Sequence, residues 1–265
     1  MNESAEIGAE FDRVLFTHDG RTHEVFRAGS GPGVVVIHEV PGIHPGVVEL
    51  ARRIVEAGYT VYLPSLFGQP GQEPGTGAIV RSIARICISR EFAVLADRTS
   101  PVVSWLRALA TKAHAECGGP GVGAIGMCLT GGFALAMAVE PDVLAPVVSQ
   151  PGLPAPLNAR KRAALGIDPH DLTTIEERTQ NGLCVLGLRF SNDKGCPAER
   201  FQTLRDTLGD TFEAIEIDSS PGNPVGIPTR AHAVLTVDLV DEPDHPTHAA
   251  LNRVIAFLDE RLHGQ

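Results

Sequence analysis

The stretch AIGMCLTGGFALAM, residues Ala124–Met137, decides the fold. Its first part belongs to an apolar run, Val122–Met127, that predicts a buried strand, and its second part, Leu129–Val139, has apolar residues at helical spacing. Cys128 stands between the two, two residues after Gly126. A strand that turns sharply into a helix exposes the side chain at the corner, and only small neighbours leave room for such a turn. The pattern therefore predicts that Cys128 is a nucleophile at a strand–helix corner.

The residues after Cys128 vary this corner pattern. Thr130 occupies the second small position, and Gly131 and Gly132 follow it. The start of a helix favours a thiolate, because the helix dipole and the free N–H groups stabilise negative charge. We expect the backbone N–H of Leu129 to face an oxyanion in this geometry.

The length and composition indicate one large domain. The chain has 265 residues, of which 43% are apolar, and no break in composition calls for a second domain, so we assign residues 1–265 to one domain with a flexible stretch at 1–10. The net charge of −10 argues against nucleic acid or an anionic membrane as the main partner, but it says little about a small-molecule substrate, because a site can be locally positive on an acidic protein. We leave open whether the protein is a monomer or a homodimer.

Strand and helix patterns alternate from residue 33 to the end. This alternation predicts an α/β fold with a mostly parallel sheet and helices on both faces. Two apolar runs around Asp19-Gly20 predict a β-hairpin before it. Residues 150–183 are mixed in character and are the best candidate for a lid or an insertion over a site.

The five cysteines, Cys87, Cys117, Cys128, Cys184 and Cys196, are odd in number and irregularly spaced. No CxxC motif occurs, which disfavours a zinc or disulfide framework. The polar N-terminal stretch shows no secretory signal and no run is long enough for a membrane span, so we expect a cytoplasmic protein with free thiols.

A base and an acid follow the cysteine in the order that such a corner needs. The run Cys184–Phe190 predicts a strand that ends just before Asp193, and the strand predicted at Phe212–Ile217 leads through a loop to His232. On sheets with this kind of corner, the nucleophile, the acid and the histidine follow in that order along the chain. The order predicts that His232 is the base and that Asp193 orients it.

Glu39 and Val40 follow the first buried strand, in the sequence VIHEVPG. The loop after this strand normally supplies the second N–H group for an oxyanion, which here would come from Val40. A carboxylate beside the cysteine could hold the thiol protonated at rest and release it when substrate arrives, which is the role predicted for Glu39.

Together these residues resemble the dienelactone hydrolase family of the α/β-hydrolases. The matching blocks are VVVIHEVPGIHPGVVELARRIVEAGYTVYLPSLFG, VGAIGMCLTGGFALAMA, RFSNDKGCPAERF and RAHAVLT. The resemblance implies an α/β-hydrolase fold and a triad of Cys128, Asp193 and His232, with Glu39 as the resting partner of the thiol. It also implies hydrolysis of a lactone or another carboxylic ester through an acyl-enzyme, without a cofactor or metal.

The sequence departs from this family at three points: a mild change at Thr130, a missing arginine that bears on the substrate, and a segment 150–183 that is longer and more basic than expected. Thr130 stands where many members have glycine, and Ala233–Thr236 lacks the arginine with which the prototype enzymes hold a substrate carboxylate. Arg90 is the preferred substitute for that arginine, ahead of Arg81 and Arg85. A broad-specificity carboxylesterase is therefore an alternative.

Two further classes of function are weighed against this assignment. One is a non-hydrolytic ligand-binding or redox-sensing protein on the same fold, although such a protein would not need the pair of Asp193 and His232. The other is a metal site at His38, Glu39 and His44 or within 241–248, but neither group matches the HExxH pattern, which disfavours metal catalysis.

Overall fold

The computed structural model describes residues 7–73, 75, 82, 100–153 and 158–263. The predicted helical segment Ile79–Ala96 lies outside the described residues, apart from Ser82. Arg90, the candidate carboxylate ligand, is among the residues outside them.

Eight strands form one sheet in the order β1-β2-β4-β3-β5-β6-β7-β8. The first two strands pair antiparallel as the predicted hairpin, and β2 also pairs antiparallel with β4. All the other pairs are parallel, which confirms the predicted mostly parallel sheet. The strands are β1 Asp12–His18, β2 Arg21–Gly29, β3 Gly33–Ile37, β4 Thr60–Ser65, β5 Val122–Met127, β6 Val143–Ser149, β7 Val185–Phe190 and β8 Phe212–Ile217.

Seven α-helices are found in the described part of the chain, and they cover both faces of the sheet. One core cluster packs α1 and α7 against one face, and the other packs α2, α3, α5 and α6 against the opposite face. The predicted arrangement of helices is thus confirmed. The helices are α1 Pro45–Glu56, α2 Pro101–Cys117, α3 Gly131–Met137, α4 Ala159–Ala163, α5 Pro169–Thr179, α6 Ala198–Leu208 and α7 Pro246–Leu262.

The segment 150–183 holds one helix that the sequence pattern did not predict. Its α5 begins at Pro169, where the Asp168 side chain accepts a hydrogen bond from His170 N at 2.8 Å and caps the helix. The buried positions of α5 are Asp171 and Ile175, so its apolar stripe is too thin to recognise. The pair Asp168-Pro169 is the sequence signal that could have predicted the start of this helix.

None of the helices in the described ranges is long and apolar enough to cross a lipid bilayer.

Candidate active site

Cys128 occupies a strained corner between β5 and α3. Its φ angle is 53°, a left-handed value that side chains other than glycine seldom adopt, and a single 3-10 turn, Cys128–Thr130, joins the strand to the helix. Gly126 allows this turn, because a Cβ atom there would lie 2.2 Å from the carbonyl oxygen of Thr130. Strain of this kind persists where the surrounding structure enforces it, as it does at functional sites.

Asp193 and His232 meet at the same end of the sheet. Asp193 lies in the loop after β7 and His232 in the longer loop after β8, and the Asp193 Oδ2 to His232 Nδ1 distance is 2.7 Å. The second carboxylate oxygen, Oδ1, accepts a hydrogen bond from Gly195 N at 2.7 Å. With both oxygens engaged, the carboxylate has a fixed orientation and can hold the imidazole in place.

The imidazole of His232 also interacts with the thiol of Cys128. Burial by itself would lower the pKa of His232, but hydrogen bonds to Asp193 and Cys128, together with attraction to both, raise that pKa to about 11. The structure therefore brings together the three residues that the sequence pattern assigned to a triad. Their pairing favours an imidazolium at neutral pH, which suits a partner that carries negative charge.

Two glycines leave space around the reacting groups. A Cβ atom on Gly152 would lie 3.4 Å from Cys128 Sγ, and one on Gly195 would lie 3.1 Å from His232 Cε1. A cavity of about 410 Å³ opens beside the histidine, lined by residues 192–195 and by Thr229, Arg230 and His232. The cavity reaches the imidazole, and Cys128 is not among its lining residues.

The two predicted oxyanion donors have different surroundings. Leu129 is the second residue of the 3-10 turn, where backbone N–H groups lack a partner within the turn. Val40 lies three residues beyond the end of β3, and within the described ranges its N–H donates to no backbone carbonyl. Both residues lie just beyond the ends of their strands, which are neighbours in the sheet, and the role of their N–H groups as oxyanion donors stays a prediction.

Glu39 is buried in a polar cluster that the sequence did not reveal. Its Oε1 bonds to His44 Nε2 at 3.2 Å and accepts a hydrogen bond from the hydroxyl of Thr236. Its Oε2 accepts one from Gln150 Nε2 at 3.1 Å. No hydrogen bond joins Glu39 to Cys128 among the described residues, so its role as resting partner of the thiol stays a prediction.

The candidate metal-ligand groups have structural partners. His38 Nε2 accepts from Leu66 N at 3.1 Å and its Nδ1 lies 3.0 Å from the Glu39 carbonyl oxygen, while burial lowers the pKa of His38 to about 4. Asp241 pairs with Arg53 and His248. Within the described ranges, no three His, Cys, Asp or Glu side chains are grouped so that they could hold a metal ion.

Comparison with known proteins identifies the family of this chain. The model of the dienelactone hydrolase family matches residues 21–260. This chain belongs to the dienelactone hydrolase family. The resemblance predicted from the sequence blocks is thereby confirmed, and so is the α/β-hydrolase fold. Membership of this family makes the protein a hydrolase.

Solved structures of similar fold cover nearly the whole chain. A candidate dienelactone hydrolase from Klebsiella pneumoniae has a TM-score of 0.65 at 19% identity, covering 94% of this chain and 98% of its own. A dienelactone hydrolase-like promiscuous phosphotriesterase from metagenomic libraries has a TM-score of 0.60 at 18% identity, with 95% and 98% coverage. At these identities the likeness extends to the fold alone.

One curated relative is similar over a short stretch. A candidate hydrolase fragment of Escherichia coli K12, YghX, is 40% identical over 48 residues, which are 18% of this chain. The match spans 41% of that relative's length.

Proposed function

We propose that this protein cleaves a carboxylic ester or lactone of a small molecule through an acyl-enzyme on Cys128. The observation that carries the proposal is the strained cysteine at the strand–helix corner, facing a histidine that is bonded to a buried carboxylate. A nucleophile, a base and a group that orients the base are the parts that covalent catalysis requires. The proposed steps use this chain's own side chains and water, and no cofactor.

In the first step, the Cys128 thiolate attacks the carbonyl carbon of the ester. A carbon–sulfur bond forms, and the carbonyl electrons move onto oxygen, where the N–H groups of Leu129 and Val40 are proposed to bind it. Losing one such donor costs about 3–4 kcal/mol of transition-state stabilisation in comparable sites. The tetrahedral species then expels the alkoxide or enolate, which takes the proton from His232 and leaves an acyl thioester.

In the second step, neutral His232 removes a proton from water, and the hydroxide attacks the thioester. The carbon–sulfur bond breaks, the carboxylic acid departs, and the thiolate and the imidazolium are restored. Because a thiolate is itself a good leaving group, such a site suits esters whose alcohol portion is stabilised as an anion. Enol lactones have this property, and p-nitrophenyl esters share it.

The proposal is tested by hydrolysis of p-nitrophenyl acetate with Cys128→Ala, Cys128→Ser and Cys184→Ala. Cys184 is a partly exposed thiol immediately before β7, so Cys184→Ala is the matched control. We expect a loss of at least about 100-fold in kcat for both Cys128 variants and none for the control. Mass spectrometry of rapidly quenched enzyme should show one acetyl group on the Cys128 peptide.

Hydrolysis by Cys128→Ala at the wild-type rate would contradict the proposal. Rapid alkylation of Cys128 without turnover of any ester or lactone would favour the ligand-binding or redox-sensing alternative. A panel of lactones and open-chain esters separates a dienelactone-type enzyme from a broad carboxylesterase. In that panel, Arg90→Ala tests the proposed carboxylate ligand, because only anionic substrates should lose activity.

A further inference from the structure

Arg200 is a buried arginine directly behind the candidate site. It lies in the first turn of α6 and its side chain is inaccessible to solvent. Its guanidinium donates to four backbone carbonyl groups. The acceptors are Ala164 O at 2.7 Å, Pro151 O at 2.7 Å, Gly195 O at 3.1 Å and Lys161 O at 3.0 Å.

Arg200 differs from Arg189, the other fully buried arginine among the described residues, because its described hydrogen-bond partners include no carboxylate. Arg189 pairs with Glu216. A buried charge is costly unless hydrogen bonds replace its water, and the four carbonyl groups supply those bonds. They do not neutralise the charge, which therefore acts on nearby anions through a medium of low polarity.

One nitrogen of this guanidinium connects the two halves of the site. Nη1 of Arg200 donates to both Pro151 and Gly195. The residue after Pro151, Gly152, donates its N–H to the carbonyl oxygen of Cys128 at 2.8 Å. Gly195 donates its own N–H to the Asp193 carboxylate at 2.7 Å. The nucleophile is thus anchored to the cation through the Pro151–Gly152 peptide group, and the acid is anchored to the same cation through Gly195.

We propose that Arg200 is a positioning residue that holds these two anchors in register and supplies the positive potential that favours the Cys128 thiolate. The inference rests on the proposed function, since it needs Cys128 to react as a thiolate. Burial lowers the pKa of the Arg200 guanidinium, whereas attraction to Cys196, Asp193 and Cys128 raises it. The guanidinium is thus a buried positive charge behind the corner, and such a charge favours a nearby anion through a medium of low polarity.

Other charged groups around the thiol must be separated from this effect. His232 and, behind it, Asp193 face Cys128 from the loops after β8 and β7. Glu39 lies two residues beyond the end of β3, and its oxygens bond to other partners. Arg162, near Arg200, forms an exposed ion pair with Glu199 at 2.8 Å.

Cys196 also lies near the guanidinium. Burial raises the pKa of its thiol to about 12, so Cys196 stays protonated over the working range and does not compete as an anion. Replacing Arg200 changes none of these side chains, and comparing Arg200→Gln with Arg200→Lys separates the loss of its charge from the loss of its hydrogen bonds.

The test is the pH dependence of Cys128 alkylation by iodoacetamide, followed by mass spectrometry of the Cys128 peptide. The variants are Arg200→Gln, which removes the charge, and Arg200→Lys, which keeps it. Arg178→Gln is the matched control, because Arg178 also bonds to carbonyl groups, those of Ala138, Glu140, Pro141 and Val143 at the far end of α3.

We expect Arg200→Gln to move the alkylation midpoint up by about one pH unit, equivalent to a roughly tenfold slower reaction below the midpoint. Arg200→Lys should keep the midpoint within a few tenths of a unit but lower kcat severalfold, because an ammonium group cannot reach four carbonyl groups. Arg178→Gln should change neither.

Three outcomes overturn the inference. One is a midpoint for Arg200→Gln equal to that of wild type, and another is an equal shift in Arg178→Gln. If Arg200→Gln does not fold, Arg200→Lys decides: a midpoint raised by a full unit despite the retained charge contradicts the electrostatic role. Activity of Cys128→Ala at the wild-type level would instead remove the proposed function, so the two failures are distinguishable.

Discussion

The hydroxyl of Thr130 donates a hydrogen bond to the carbonyl oxygen of Ile37 at 3.0 Å, joining the nucleophile turn to the end of a neighbouring strand. The Thr130 hydroxyl oxygen also accepts a hydrogen bond from Met127 N at 2.9 Å. A glycine at this position would leave both groups without these bonds. Thr130, which departs from the family pattern, therefore stabilises the corner with hydrogen bonds that a glycine could not make.

Replacing Thr130 by valine keeps the shape of the side chain but removes its hydroxyl. Because the site is fully buried, Met127 N loses a partner that water cannot replace, and we expect the free energy of unfolding to fall by about 1–3 kcal/mol. Urea denaturation measures this. Thr203→Val, at an exposed hydroxyl of α6, is the control and should change stability by less than about 0.5 kcal/mol. If the two variants lost the same free energy of unfolding, the buried hydroxyl of Thr130 would contribute no more to stability than an exposed one.

Adding one methyl group at Gly126 should disrupt the corner. In Gly126→Ala the new Cβ would lie 2.2 Å from the Thr130 carbonyl oxygen, so the turn must shift. We expect a loss of about 1–3 kcal/mol in stability and a fall in kcat, because the thiol moves with the turn. Gly75→Ala is the control, since its Cβ would have no described atom within 4 Å. A fully active, fully stable Gly126→Ala enzyme would exclude this geometry.

His232 should remain protonated well above neutral pH. Its pKa is about 11 in the folded protein and about 6.5 in the unfolded chain, so the folded state binds the proton more tightly. The resulting stabilisation is complete below pH 6.5 and is lost as the pH rises towards 11. NMR of the imidazole nitrogens at pH 9 should show that His232 is an imidazolium. In the Asp193→Asn variant, the His232 imidazole should lose its proton at a lower pH.

Unfolding experiments test the same linkage. The stability advantage of wild type over His232→Gln should shrink as the pH is raised from 7 to 10. An advantage that stays constant over this range, or a neutral ring at pH 9, would contradict the pairing of His232 with anions.

Glu39→Gln separates two roles for the buried carboxylate. With its oxygens bonded to His44, Gln150 and Thr236, we expect the variant to lose about 1–3 kcal/mol of stability, because an amide cannot accept at both ends. The rate of Cys128 alkylation at neutral pH should change by less than about twofold. A much larger change would instead favour the direct contact with the thiol that the family resemblance implies.

The sheet and the triad order could be predicted because they depend on local patterns. The runs Val122–Met127 and Phe212–Ile217 are strands with the predicted bounds, since their apolar or alternating patterns end at turns. Cys128, Asp193 and His232 each follow a strand of a parallel sheet, and such positions converge at one edge. Their meeting therefore follows from the topology.

The polar cluster around Glu39 could not be predicted in this way. Its partners Gln150 and Thr236 are 111 and 197 residues away along the chain, and nothing in their local sequence marks them as buried. Arg200 did carry a signal, because it lies four residues before Leu204 on the buried face of α6. A charged residue on an apolar face is the kind of exception that calls for a partner or a role.

The bonds of Arg200 to Lys161 and Ala164 have a consequence for how this enzyme can diversify. Both acceptors are main-chain oxygens, which every amino acid possesses. Helix α4 can therefore change its side chains, and with them the surface offered to new compounds, without releasing its attachment to the protein interior. What must be conserved there is the path of the backbone, while the choice of residues is left free for selection to alter.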